Sequence, residues 1–277
     1  MALLPPNGRL ANAGTVRSIE LSLAPIWEPR PLLERFFCPI PPSGGLLTLE
    51  GDEARHLIRV RRVEVGEMVE VFDGRGSAYH ARVASLGRDR ADLEVVEGGG
   101  PDRSPAFALT LATAVPKGER FDWLVEKATE LGVARLIPLV TERSVVDPRS
   151  AKLDRLRRVV IEASKQCRRD RLMELDPPTP WAMLVETGRN LGCSRWIAHP
   201  GGAELARASL PGGSGSGILA IGPEGGFTPA EFDRAVEAGW LAFGLGSTTL
   251  RVETAALAGA ATILAWARSG DEPEATR

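Results

Sequence analysis

Apolar and polar positions along the chain change their period near residue 105. From Phe36 to about Glu97 the apolar residues alternate or fall in short runs: Phe36–Ile40, Leu46–Leu49, Met68–Asp73, Ser77–Ser85 and Ala91–Glu97. Runs of that length and period predict strands. Asp73-Gly74-Arg75-Gly76 joins two of them as a hairpin signal. Ala54, Leu57, Ile58 and Arg61 lie at near-helical spacing, which predicts one short helix over Asp52–Arg62. Several short strands and a single helix predict a small β-barrel over residues 35–100, with Gly98-Gly99-Gly100-Pro101 as the linker.

After Pro105, strand and helix patterns alternate. Strands are predicted at Phe107–Val115, Leu136–Val140, Leu172–Leu175, Trp196–Ala198, Ile218–Ile221 and Leu241–Leu245. Helices are predicted at Glu119–Leu131, Pro148–Arg168, Pro180–Thr187, Pro229–Ala238 and about Glu253–Arg268. Thr228-Pro229-Ala230-Glu231 has the cap, the proline and the glutamate of a helix start. The fold class is therefore α/β over residues 101–277, a parallel sheet covered on both faces. Residues 1–34, with five prolines and no sustained period, are expected to form a flexible N-terminal extension. Arg9 and Arg17 without an acid before Glu20 leave a transit-peptide reading open beside a leader or an early start site.

A composition of 43% hydrophobic and 25% charged residues predicts a folded chain. The longest weakly polar stretch, Ala255–Ala267, is shorter than the roughly 18 residues a membrane span needs, so no membrane partner is expected. Three scattered cysteines and three histidines, with no CxxC or HExxH spacing, argue against a disulfide framework and a metal site. A cytoplasmic, reducing location fits that cysteine usage. Net charge is −2, so any nucleic-acid argument must rest on local clustering. Arg143 to Arg171 supplies one, with ten Lys or Arg against four acids. That is a phosphate footprint, or else a solvated helix face with internal ion pairs.

Two glycine-bearing segments compete as ligand loops. Gly213-Ser214-Gly215-Ser216-Gly217 precedes a strand instead of opening a helix, so it is expected to be a flexible surface connection. Gly222-Pro223-Glu224-Gly225-Gly226 follows a strand and precedes the capped helix, at the edge where open α/β sheets bind ligands. A buried structural turn is the plainer alternative. The segment Leu245 to Ala255 also joins a strand end to a helix start; there Arg251 is either a functional cation or a solvated one.

IGPEGGFT followed about twenty residues later by LGxxxLRxETA closely resembles the RsmE family of SPOUT methyltransferases. Arg35-Phe36-Phe37, His56 to Arg62, Phe72-Asp73-Gly74, Lys117-Gly118, Lys127 to Gly132, Glu142-Arg143-Ser144 and Gln166-Cys167-Arg168-Arg169 agree in order. The sequence departs from the family pattern at Thr248, His199 and Met173, where an arginine, an acid and a proline are usual. The resemblance implies a PUA-like β-barrel, then a SPOUT α/β domain tied in a deep trefoil knot and dimerising through its knot helices. It implies S-adenosyl-L-methionine as cofactor and the 16S rRNA of the small ribosomal subunit as partner. The methyl acceptor would be the N3 of one uridine, number 1498.

The cofactor residues it implies are Leu219, His199, Gly222, Pro223, Glu224, Gly225, Leu245, Gly246, Thr249 and Leu250. Arg251 and Glu253 would be catalytic, and Arg61, Arg62, Lys117, Arg143, Gln166, Arg168 and Arg169 would meet RNA. Two alternatives are a SPOUT methyltransferase acting on another RNA and a non-catalytic ribosome-assembly factor.

Overall fold

The computed structural model describes residues 33–98, 106–146, 153–188, 192–204 and 215–269. The first unit is a five-stranded sheet of order β1-β3-β4-β5-β2, built from β1 (Arg35–Phe37), β2 (Leu46–Glu50), β3 (Met68–Phe72), β4 (Ala78–Leu86) and β5 (Arg90–Gly98). Only β1 and β3 run parallel. The predicted helix is present as α1 (Gly51–Arg55), which continues into a π-helical turn over His56–Arg61. Arg62 ends that turn in the left-handed region at φ 54°. Phe36, Leu47, Leu49, Leu57, Val71, Val83 and Leu93 fill the core. The predicted linker at 99–101 lies outside the described residues, as do residues 1–32 of the predicted extension.

The second unit is an all-parallel sheet of β6 (Phe107–Ala114), β7 (Arg135–Val140), β8 (Glu174–Leu175), β9 (Thr179–Pro180), β10 (Ser194–Glu204), β11 (Gly215–Ile221) and β12 (Leu241–Gly244). Its order is β12-β10-β11-β6-β7-β8, with β9 also on β7. The period-two rule sorts its two faces. Leu109, Leu111, Leu136, Trp196, Leu219, Ile221 and Phe243 face α2 (Arg120–Leu131), α3 (Leu153–Cys167) and α6 (Val252–Ser269). Ala112, Ile137, Leu139, Ile197, Ile218 and Ala220 face α4 (Trp181–Gly188) and α5 (Pro229–Glu237). The chain passes from β11 over β10 to the far edge at β12, then brings α6 back onto β6 and β11.

Several expectations need correction. Of the Gly213–Gly217 segment expected as a surface connection, Gly213 and Ser214 lie outside the described residues, while Gly215 to Gly217 begin β11, Gly215 pairing with β6 and Gly217 with both β6 and β10. A Cβ on Gly217 would stand 2.4 Å from the Trp196 ring and 2.9 Å from Phe107, so two buried aromatics occupy the space a side chain would need. The strand at Trp196 does not end at Ala198. It continues to Glu204 after an irregularity at 198–203, and both Ala198 and Ala203 pair with Phe243. Gly202 lets the two backbones approach, since its Cβ would lie 2.4 Å from the Phe243 carbonyl carbon.

A buried ionic junction joins the two sheets. Arg35 reaches from β1 to the Asp170 carboxylate, donates to the Ser164 carbonyl at 3.2 Å, lies 3.7 Å from Glu70 and sits 4.3 Å over the Phe72 ring. Arg168 donates to Glu70 at 2.6 Å and to the Leu33 carbonyl at 3.1 Å. Lys165 pairs with Glu53 of α1, and Leu172 N–H donates to the Gly74 carbonyl at 3.0 Å. Burial pushes the Arg35 guanidinium below its ordinary value, while Glu70 and Asp170 pull it back up. It remains a buried cation held by two buried acids.

Candidate functional site

Parallel strands place their carboxyl ends on one edge, and five loops of the second unit meet there. Four follow β6 (with Lys117), β7 (Thr141–Ser144), β11 (222–228) and β12 (245–251), and the fifth is the irregularity within β10 at 199–202. A cavity of about 350 Å³ opens among four of them. The β10 irregularity supplies His199 and Pro200, the bend after β11 supplies Gly222 to Phe227, and the β12 loop supplies Leu245, Gly246, Thr248, Thr249 and Leu250. Arg143 closes one side, with Val252 and Ala255 of α6 beneath. Most of this lining is backbone and small or apolar side chain, the form that small-molecule sites take.

Local sequence explains each wall. Thr228 caps α5: its hydroxyl accepts from Glu231 N–H, and the Glu231 carboxylate accepts from Thr228 N–H at 2.9 Å. The bend before it closes with Gly226 N–H donating to the Pro223 carbonyl at 2.8 Å, Gly226 standing at φ +68°. Phe227 is buried against Trp181 at 4.8 Å between ring centroids, which anchors the bend from below. In the third wall Gly246 adopts φ +113°, a region closed to ordinary side chains, and no heavy atom lies within 4 Å of the place its Cβ would take. His199 stacks on Phe232 at 4.3 Å, and its Nδ1 accepts from Gly201 N–H at 3.1 Å. The other ring nitrogen is then the protonated one in the neutral ring.

Nine of the ten residues expected around a cofactor line this cavity: His199, Gly222, Pro223, Glu224, Gly225, Leu245, Gly246, Thr249 and Leu250. Leu219 does not. It is fully buried beneath α6, where Gly259 leaves room for it. The inward alternation of β11 assigns Leu219 to the core.

Of the expected catalytic pair, Arg251 is exposed at the start of α6, between two cavity-lining residues, and its carbonyl accepts from Ala255 N–H. Glu253 is buried, with Oε1 3.3 Å from Arg120 Nη1 and Oε2 without a partner among the described residues. Arg120 also donates from Nε to the Lys117 carbonyl at 3.1 Å, linking the β6 loop to α6. The sequence reading missed Arg120; it follows Lys117-Gly118 in a plain helix start, with no spacing signal toward Glu253.

The expected RNA residues divide into two groups. Arg61, Arg62, Lys117, Arg143 and Gln166 are exposed, Arg61 pairing with Glu34 at 2.9 Å and Arg143 donating to the Gly225 carbonyl at 2.7 Å. Arg168 and Arg169 require correction. Arg168 is committed to Glu70, and Arg169 is buried, donating to the carbonyls of Thr129, Val133 and Arg171. Cations bonded to internal acceptors hold the junction and the end of α3 and are not presented to phosphates. Nearer the start of the basic segment, Arg155 and Arg157 are exposed but paired with Asp122 and Asp154, and Arg149 and Lys152 lie outside the described residues.

Among the described residues no group of His, Cys, Asp or Glu is arranged to hold a metal ion, and no helix is long and apolar enough to cross a membrane. Burial raises the thiols of Cys38, Cys167 and Cys193, which disfavours the nucleophilic thiolate at neutral pH.

Comparison with known proteins agrees with this geometry. Residues 102–264 match the model of an RNA methyltransferase domain, and residues 49–96 match that of an RNA methyltransferase PUA domain. Ribosomal RNA small subunit methyltransferase E of Synechocystis is 34% identical, over 76% of this chain and 69% of its own. The protein of the same name from Mycobacterium bovis is 33% identical over 78% and 85%. The crystal structure of ribosomal RNA small subunit methyltransferase E from Neisseria gonorrhoeae bound to S-adenosyl methionine superposes with a TM-score of 0.76, at 31% identity, covering 84% of this chain and 97% of that one.

Proposed function

Since the chain belongs to the ribosomal RNA small subunit methyltransferase E family, we propose that it transfers a methyl group from S-adenosylmethionine to the N3 of one uridine in 16S rRNA. The observation that carries this reading is the cavity at the carboxyl edge, where three separate loops present backbone and small side chains to a single space. The donor set fits the cofactor. Ile221, Leu245, Leu250 and Val252 offer apolar walls for an adenine, and the glycine bends bring backbone N–H and C=O groups within reach of polar edges. His199 offers an N–H, and Glu224 is the acidic side chain at the wall, suited to a positively charged group.

The bound cofactor supplies an electrophilic methyl on a sulfonium. Attack by uracil N3 requires loss of its proton to water, and the resulting charge spreads onto the two flanking carbonyl oxygens; as the N–CH3 bond forms, the pair of the broken C–S bond stays on sulfur, giving a neutral thioether. Arg251, exposed beside the cavity, holds that charge; an aimed cation in such a role is worth roughly a hundredfold or more in rate. Glu253 is bound on one side by Arg120 and orders the start of α6, so it positions Arg251. The N3 of a paired uridine is inaccessible, so the acceptor must be unpaired or turned out to be reached. The exposed cations Arg61, Arg62 and Lys117 would hold the surrounding backbone. The return of α6 across β11 and β6 supports a trefoil knot at this edge, and the half-buried Leu257, Ala258 and Ala261 on its other side support homodimer packing.

The test is incubation with small subunits and labelled S-adenosylmethionine, followed by mass spectrometry of rRNA fragments. One methyl on a uridine N3 is expected in wild type, with turnover falling at least about a hundredfold in Arg251→Ala at unchanged cofactor affinity. Transfer to a different RNA, or none, would refute the reading.

A further inference from the structure

The capping box that starts α5 uses more of its glutamate than a cap requires. Glu231 Oε2 accepts from Thr228 N–H at 2.9 Å and from the Thr228 hydroxyl at 3.2 Å. Oε1 points elsewhere: it accepts the backbone N–H of Glu142 at 2.9 Å, from the turn after β7. That turn is stiffened internally, with Thr141 N–H donating to Ser144 Oγ at 2.9 Å and Ser144 N–H to the Thr141 carbonyl at 3.1 Å. Its next residue, Arg143, reaches back and donates to the Gly225 carbonyl at 2.7 Å. The Glu231 carbonyl in turn accepts from the Trp181 indole at 3.1 Å, fixing the glutamate's own backbone to α4.

These bonds form a closed ring from the 222–226 bend through Thr228 and Glu231 to Glu142, then through Arg143 back to Gly225. We propose that Glu231 is a positioning residue for the cofactor cavity: it locks the 141–144 turn to the glycine bend and so sets Arg143 in the cavity wall. This rests on the reading of that cavity as the cofactor site. A carboxylate accepting backbone N–H groups from two segments makes charge-assisted bonds, stronger than those of an uncharged acceptor. Helix capping alone needs only the Thr228 side of the carboxylate. Capping therefore does not account for the bond to Glu142, 89 residues away in sequence.

The test compares Glu231→Ala, Glu231→Gln and Thr228→Ala in the full chain, using residue-resolved amide exchange and calorimetric titration with S-adenosylmethionine. Thr228→Ala removes the cap hydroxyl but leaves Oε1 on Glu142, so it separates capping from clamping. In Glu231→Ala the Glu142 amide should lose protection, and cofactor affinity should fall about tenfold, with KM rising while kcat at saturation holds. Glu231→Gln keeps a neutral acceptor and should fall between Glu231→Ala and wild type, whereas Thr228→Ala should keep both Glu142 protection and affinity at the expense of some thermal stability. Equal loss of affinity in Glu231→Ala and Thr228→Ala would overturn the proposal, as would a Glu142 amide that stays protected in Glu231→Ala. If wild type binds no S-adenosylmethionine, the cofactor reading fails by itself, while the exchange data still report on the clamp.

Discussion

At the junction between the two sheets, Arg35, Glu70, Arg168 and Asp170 lie largely out of solvent and hold one another by charge. At the cavity, 222–226 and 245–250 offer backbone, glycine and small side chains, and the flanking cations Arg143 and Arg251 stay exposed. A buried ion network costs desolvation and resists loss of any one member. A backbone-walled cavity costs little to leave open to a ligand. Junction substitutions should therefore act on stability and leave affinity alone, and cavity substitutions should do the reverse.

The largest effect is expected from Arg35→Met, which removes the buried cation that Glu70 and Asp170 share and leaves Glu70 to Arg168. Stability should fall by about 3–5 kcal/mol, read as a lower denaturant midpoint, while cofactor affinity in the folded protein stays within about twofold. A parallel loss of affinity would merge the two regions. Next is Gly246→Val, which forces a β-branched residue toward φ +113°. Strain of roughly 1–3 kcal/mol should appear as a tenfold or greater loss of cofactor affinity by calorimetry, with little change in melting because the loop is exposed.

Charge reversal then separates the two kinds of arginine. Arg168→Glu should destabilise the fold through repulsion with Glu70 and leave the salt dependence of RNA binding unchanged. Arg61→Glu should lower that dependence by about one unit of slope at little cost in stability. The smallest effect concerns acid stability. Asp92 is held below the ordinary carboxylate range by bonds from Arg90, Thr48 and Ser85. A depressed carboxylate stabilises fully above its unfolded value near 3.9 and loses that contribution as pH falls through its lower folded value. Asp92→Asn should thus narrow the stability gap from wild type as pH drops below about 4, seen in acid unfolding curves.

The same contrast explains what was legible in the sequence. Loop positions were readable because glycine, proline and a capping box mark them locally, and nine of ten expected cofactor residues line one cavity. The partners of charged residues were not readable. Glu70 interrupts an apolar strand and reads as a solvent-facing residue, yet it is 3% exposed between two arginines. Arg168 and Arg169 counted toward a basic stripe although their acceptors lie tens of residues away, at Glu70, Thr129 and Val133. The Gly213–Gly217 segment reads as a surface connection because glycine marks loops, whereas Gly217 makes room for Trp196 inside the sheet. Leu219 came from the resemblance alone, and both faces of β11 at this level are core, with Leu219 under α6 and Ile218 and Ala220 under α4 and α5.

Amide exchange of the full chain with and without S-adenosylmethionine tests the division most directly. The account predicts that added protection concentrates in 198–202, 221–227 and 245–252, leaving the junction at 33–37, 68–72 and 164–172 at its unliganded level. Protection centred on the junction, or on the face between α2 and α3, would contradict it.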